Sequence, residues 1–110
     1  MRVWPDDAGY VMNQPGLTLA AARWLAEMNK ALAIGGDNLS LEHFPVEKDS
    51  PTWVPVHTYL LAQAGVPVIE VVDLEALAAD QVYEFAFIAG SLKLRGASAA
   101  PFRPLALPLR

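Results

Sequence analysis

Cysteine is absent from this 110-residue chain, which removes disulfide frameworks, thiolate metal sites and thiol nucleophiles at once. That absence fits a reducing compartment, and it leaves histidine and carboxylate chemistry, with only two histidines to carry it. Positive charge is also scarce: eight Lys and Arg against twelve Asp and Glu give a formal charge of −4. Lys93, Arg95, Arg103 and Arg110 are scattered. No basic cluster offers a footprint for a phosphate backbone, so the composition argues against a nucleic-acid partner. Long apolar runs are missing too. The longest weakly charged stretches, Gly16 to Leu25 and Val82 to Leu92, stop well short of the ~20 apolar residues a membrane span needs. The opening residues carry Arg2, Asp6 and Asp7 where a secretory leader would be apolar, so the expectation is a cytoplasmic protein without a membrane partner.

What is present is apolar. Hydrophobic residues make up 54% of the chain and charged residues 18%, the reverse of the balance that keeps a chain disordered. The length suits one domain, residues 1–110, because a second core would leave each half very small.

The opening segment, through Asn13-Gln14-Pro15-Gly16, has turn chemistry and reads as irregular chain. Thr18 then caps a helix through about Lys30, with Ala21, Trp24, Leu25 and Met28 at the spacing of one buried face. Ala31 to Ile34, closed by Gly35-Gly36, reads as a short buried strand with Asp37 and Asn38 at its carboxyl end. Leu39 to Trp53 reads as a long loop, of the kind that is often functional. Pro55 opens a second helix of roughly ten residues, with Val56, Leu60, Leu61 and Ala64 on its apolar side and Gly65 as its stop.

Val66 to Val72 is a β-branched strand, Asp73 to Ala79 a short helix, and Val82 to Ala89 a strand continued half-exposed through Arg95. Gly96 to Ala100 is a small-residue loop, and an extended segment around Phe102 to Leu107 is confined to an edge by Pro101, Pro104 and Pro108. The order of elements predicts an α/β fold with a mixed sheet and about three helices.

Read in series, Pro15-Gly16-Leu17-Thr18-Leu19 with Trp24-Leu25, then Gly36-Asp37-Asn38 with Glu42, Pro55-Val56-His57 with Leu60-Leu61, Gly65 to Glu70, Asp73-Leu74-Glu75, Tyr83-Glu84-Phe85, Leu92-Lys93, Gly96-Ala97 and Pro101-Phe102-Arg103-Pro104 form a recognisable succession. It resembles the C-terminal half of the cyclase family of metal-dependent hydrolases, which includes bacterial kynurenine formamidases and isatin hydrolases. The resemblance covers nearly the whole chain and implies a partial swivelling β/β/α-type fold. It also implies hydrolysis of small cyclic or N-formyl amides with zinc or manganese.

The family's H-x-G-T-H-x-D stretch, whose histidines and aspartate hold the metal, has no counterpart here, since neither His43 nor His57 lies in such a pattern. The chain is therefore expected to be inactive alone. The resemblance assigns catalytic roles to His57 and Glu70, which would also be metal ligands if a partner completes a second-metal site. Asp37, Asn38 and Glu42 are expected to line the substrate pocket, because ligands favour carboxyl strand ends in α/β sheets and because Glu42 matches the family's acidic position. Two departures weaken any substrate contact in the late loop: Ser91 stands where relatives carry proline, and Ala99-Ala100 where they carry glycine-serine.

The local physics allows a site. A histidine in a first helical turn meets the positive end of the helix dipole, and a carboxylate among valines must find a cation, a donor or solvent. Without the resemblance, His57 and Glu70 read as a solvated helix-start histidine and a strand-end acid, His43 as an exposed loop residue, and Asp37 and Asn38 as turn formers. Trp24 reads as core, and Trp4 and Trp53 as candidates to cover a neighbouring subunit. Three accounts follow: part of an amide hydrolase whose metal triad is supplied by a separate chain or lost to truncation, a non-catalytic oligomerising remnant, or a small-molecule-binding module. A half-fold leaves apolar faces uncovered, so a homo-oligomer or such a separate chain is the expected partner.

Overall fold

The computed structural model describes residues 14–109, and the chain forms two compact units, Met1–Leu74 and Glu75–Arg110. Helices and strands are mixed, as expected for an α/β chain, with three helical segments and two separate two-stranded sheets among the described residues. The expected irregular opening falls mostly outside the described residues, and Trp4 falls wholly outside them. No helix among the described residues is long and apolar enough to cross a membrane.

In the first unit, Thr18 caps helix α1 by accepting from the Ala21 amide at 3.2 Å. The helix runs as Leu19–Arg23 and widens into π-type turns over Trp24–Met28. Its buried residue is Ala22, fully enclosed, with Leu19, Leu25 and Ala26 packed beside it. Of the face expected from Ala21, Trp24, Leu25 and Met28, Ala21 and Leu25 are half-buried, but Trp24 is 58% exposed and Met28 more so. Two apolar stripes overlap on this helix, and α1 turns the smaller-residue stripe inward, against the helix that carries Val56 and Leu60.

Strand β1 (Ile34–Gly35) pairs in parallel with β2 (Val68–Ile69), in the register Ile34 to Val68 and Gly35 to Ile69. Both strands are shorter than the apolar runs that contain them. A methyl group on Gly35 would lie 3.1 Å from the Ile69 Cβ, so glycine lets the two strands close. Helix α2 lies between them in the chain, starting as Pro55–His57 and continuing in π-type turns over Thr58–Ala64. Gly65, at φ 67°, ends it in the left-handed conformation that glycine adopts without steric cost. Val56, Tyr59 and Leu60 are its buried residues; Leu61 and Ala64, expected inside, are exposed. With Ala22, Ile34, Leu41 and Val66 they form the hydrophobic core.

The second unit contains helix α3 (Glu75–Ala79) and an antiparallel pair, β3 (Phe85–Ile88) with β4 (Leu105–Pro108). Phe85 and Phe87 meet edge-on, with ring centroids 6.5 Å apart. The expected continuation of β3 through Arg95 is reduced to a single bridge, Ser91 to Phe102. Pro108 ends β4, consistent with proline's place at strand ends and edges. The buried hydrophobic residues named above all belong to the first unit, whereas Phe87, Ile88, Leu105 and Leu107 remain about half exposed.

Candidate functional site

The site is built on a turn. Asn38 is buried, donates to the Pro15 carbonyl at 2.7 Å and accepts from the Leu41 amide at 3.2 Å. Its own carbonyl accepts from Val71 at 3.1 Å. Gln14, also buried, accepts from the Leu39 amide at 3.3 Å and donates to the Ser40 hydroxyl. These bonds satisfy the backbone of a turn in which Leu41 adopts φ 56°. The turn delivers Glu42 beside Leu17: the Leu17 amide donates to the Leu41 carbonyl at 2.8 Å, and the His43 amide to the Leu17 carbonyl at 3.0 Å. Gly16 makes that approach possible, because a Cβ there would fall 2.0 Å from the Glu42 carbonyl oxygen.

Glu42 is 1% exposed and points at the start of α2. A helix start leaves amides without intrahelical partners, and Val54, the residue before Pro55, supplies no capping side chain. The Glu42 carboxylate takes that place. One oxygen accepts from the Val56 amide at 3.2 Å; the other accepts from the His57 amide at 2.8 Å and lies 3.1 Å from His57 Nδ1. On the opposite edge of the ring, His57 Nε2 lies 3.2 Å from a Glu70 carboxylate oxygen. Glu70 follows β2 directly, so the parallel strand pair and the helix between its strands bring Glu70 to His57. The His57 side chain is 22% exposed and that of Glu70 36%, which leaves the Nε2 side open to solvent while the Nδ1 side is closed.

Three sequence-nominated residues, Glu42, His57 and Glu70, thus share one line of contacts. Asn38 lies in the supporting turn and Asp37 is exposed beside it. His43 is exposed, in keeping with its reading as a loop residue. Gln14 and Ser40 were missed by the sequence reading. The signal that could have linked Glu42 to α2 is the lack of a capping side chain before Pro55, which leaves the helix to be capped by a residue distant in sequence.

A cavity of about 180 Å³ lies alongside, lined by Leu17, Thr18, Glu42, His43, Val46 and Pro55 among others. His57 and Glu70 are not in its lining, so it adjoins the turn carrying Glu42, not the exposed edge of the ring.

The donor set can be tested against a zinc ion. Ligands bound at roughly 2.0–2.1 Å in tetrahedral geometry lie about 3.3 Å apart, and His57 Nε2 and the Glu70 oxygen are 3.2 Å apart. A carboxylate hydrogen-bonded to the other ring nitrogen is the usual support of a metal-ligating histidine, and Glu42 stands there. The pair therefore suits two positions of a metal site. Among the described residues no group of three or more His, Cys, Asp or Glu is placed to hold an ion.

No protein-family model matches the chain, and comparison with curated proteins and with solved structures returns no match.

Proposed function

We propose that the chain is one part of a cyclase-type, metal-dependent hydrolase of small cyclic or N-formyl amides, acting in the cytoplasm and completed by residues from another chain. The observation that supports this reading most is the convergence of His57 and Glu70 at 3.2 Å, with the buried Glu42 carboxylate behind the ring.

His57 and Glu70 would hold zinc or manganese together with ligands from the completing chain. A bound ion would polarise the amide carbonyl and lower the pKa of water. The residues of this chain handle position and protons. Glu42 holds the imidazole against the start of α2, so the exposed Nε2 edge is the one that meets substrate. Where the completing chain alone holds the ion, Nε2 can instead act as the base that takes a proton from the attacking water and returns it to the leaving nitrogen, with Glu70 orienting that water. Asp37 and Asn38 lie near the turn that ends β1, and their expected substrate contacts belong to this proposal.

The direct test is retention of zinc or manganese by the full chain after removal of free ion, beside His57→Ala and Glu70→Gln. Retained metal that both variants lose is the expected result. Metal retained equally by His57→Ala, or by none of the three proteins, would contradict it.

A second reading, a non-catalytic oligomerising or small-molecule-binding remnant of the same fold, is favoured by a different observation. Trp24, Met28, Leu32 and Trp53 are all more than half exposed in the first unit, which leaves apolar side chains available for an interface. A stable metal-free oligomer without turnover would support that reading instead.

A further inference from the structure

We propose that Glu42 is a positioning residue that fixes His57 as the Nδ1–H tautomer, leaving Nε2 as the reactive nitrogen. The inference rests on the reading of His57 as the proton-transferring group, but its test does not require turnover.

Three donors converge on the Glu42 carboxylate: the Val56 amide, the His57 amide and the His57 ring. A carboxylate only accepts hydrogen bonds, so the 3.1 Å contact is a hydrogen bond when Nδ1 carries the proton, and the buried Glu42 holds that proton better than the partly exposed Glu70 on the other edge. The backbone amide and the ring of the same residue bond to the same oxygen, which ties the ring orientation to the helix start. A plain helix cap would need only the amide bonds, and an adjacent Ser, Thr or Asp ordinarily provides them. Here the acceptor comes from a buried loop residue, and it also reaches the ring. Its placement is over-determined by Gly16, by the Leu17 bonds and by the Asn38 and Gln14 turn.

Nε2 is differently placed. It faces the Glu70 carboxylate, whose side chain is partly exposed and can turn to solvent, whereas the buried Glu42 carboxylate cannot. Neutral imidazole has one donor and one acceptor nitrogen, and the bond at one determines the role of the other. With Nδ1 committed to Glu42, a neutral ring presents a lone pair at Nε2. Free histidine favours the opposite, Nε2–H form, so the assignment has a spectroscopic signature.

The experiment is long-range ¹H–¹⁵N correlation on the full chain labelled with ¹⁵N-histidine, at a pH where the rings are neutral. Only His43 and His57 contribute, and His57→Ala assigns them. The expected wild-type result is a pyrrole-type Nδ1 and a pyridine-type Nε2 for His57. In Glu42→Gln a single amide oxygen faces three donors; the fixed backbone amides take it, and His57 is expected to lose the Nδ1–H signature. Glu70→Gln, which leaves the buried turn and the α2 cap untouched, is expected to retain it. A wild-type Nε2–H ring, an Nδ1–H ring that persists in folded Glu42→Gln, or a switch in Glu70→Gln would each overturn the assignment. A chain with no hydrolase activity can give any of these results, so failure of the functional reading is distinguishable from failure of this one. A purely structural cap would alter stability and leave the tautomer as it is.

Discussion

Glu42 and His57 are joined twice through one carboxylate oxygen, which accepts from the His57 amide at 2.8 Å and lies 3.1 Å from His57 Nδ1. The same side chain that ends the orphaned amides of α2 therefore also aims the imidazole. Fold stability and site geometry meet in a residue that is 1% exposed.

Removing that carboxylate leaves buried donors without partners. Glu42→Ala is expected to cost about 1–3 kcal/mol, the penalty for unsatisfied buried polar groups and a lost cap. Glu42→Gln, which retains one acceptor, should lose less. Urea denaturation measures both, and a Glu42→Ala loss no larger than the roughly 0.5 kcal/mol of a surface substitution would contradict the role.

Gly16 supports the same residue from the other side. A Cβ would meet the Glu42 carbonyl oxygen at 2.0 Å, its carbonyl carbon at 2.2 Å and the His43 amide nitrogen at 2.7 Å, all backbone atoms that cannot swing away. Gly16→Ala must therefore separate the Leu17–Glu42 bridge, at an expected cost of about 1–3 kcal/mol from overpacking. It should also shift the His57 ring resonances in the ¹⁵N spectrum. A variant of wild-type stability with unmoved His57 resonances would contradict the packing described.

Much of the architecture was legible in the chain because it depends on local rules. Thr18 caps α1, Pro55 opens α2 and Gly65 closes it, each through its own backbone chemistry. The face of α1 was not legible, because Trp24 and Ala22 lie on overlapping apolar stripes and only tertiary packing chooses between them. Strand lengths were overestimated for a related reason: a β-branched run stays paired only where a neighbour reaches it, and β2 has one over Val68–Ile69. His57 and Glu70 could be nominated from the sequence. Glu42 could be nominated too, but as a pocket residue; its bond to the start of α2 leaves no periodic trace, and only the missing cap before Pro55 hints at it.

The α2 interior provides a paired comparison. Leu60 is fully buried, and its neighbour Leu61 is about half exposed. Leu60→Ala should cost about 2–5 kcal/mol through lost burial and a residual cavity. Leu61→Ala should stay near roughly 0.5 kcal/mol. Equal losses in denaturant midpoints would contradict the orientation assigned to α2.

Tyr59 links the two long helices, donating to Glu27 at 2.9 Å with the Arg23 guanidinium 5.5 Å from the centre of its ring. Burial, and then the hydrogen bond and charge of Glu27, push its hydroxyl above the ordinary tyrosine value, with Arg23 opposing. The folded state thus prefers the neutral phenol. The stability this carries is complete below the unfolded tyrosine value of about 10 and is lost as pH rises through the higher folded value. Tyr59→Phe is expected to lower stability near neutral pH and to flatten its decline as pH rises above about 10, compared with wild type. An unchanged alkaline slope in urea titrations would contradict the coupling.

The central claim, that His57 and Glu70 are paired donors of a metal-assisted site, is tested most directly by titrating zinc into the full ¹⁵N-histidine-labelled chain. The account predicts that His57 Nε2 moves on zinc addition while His43 does not, and that Glu70→Gln weakens the response several-fold. Zinc that moves His43 as readily as His57, or leaves His57 unmoved, would contradict it.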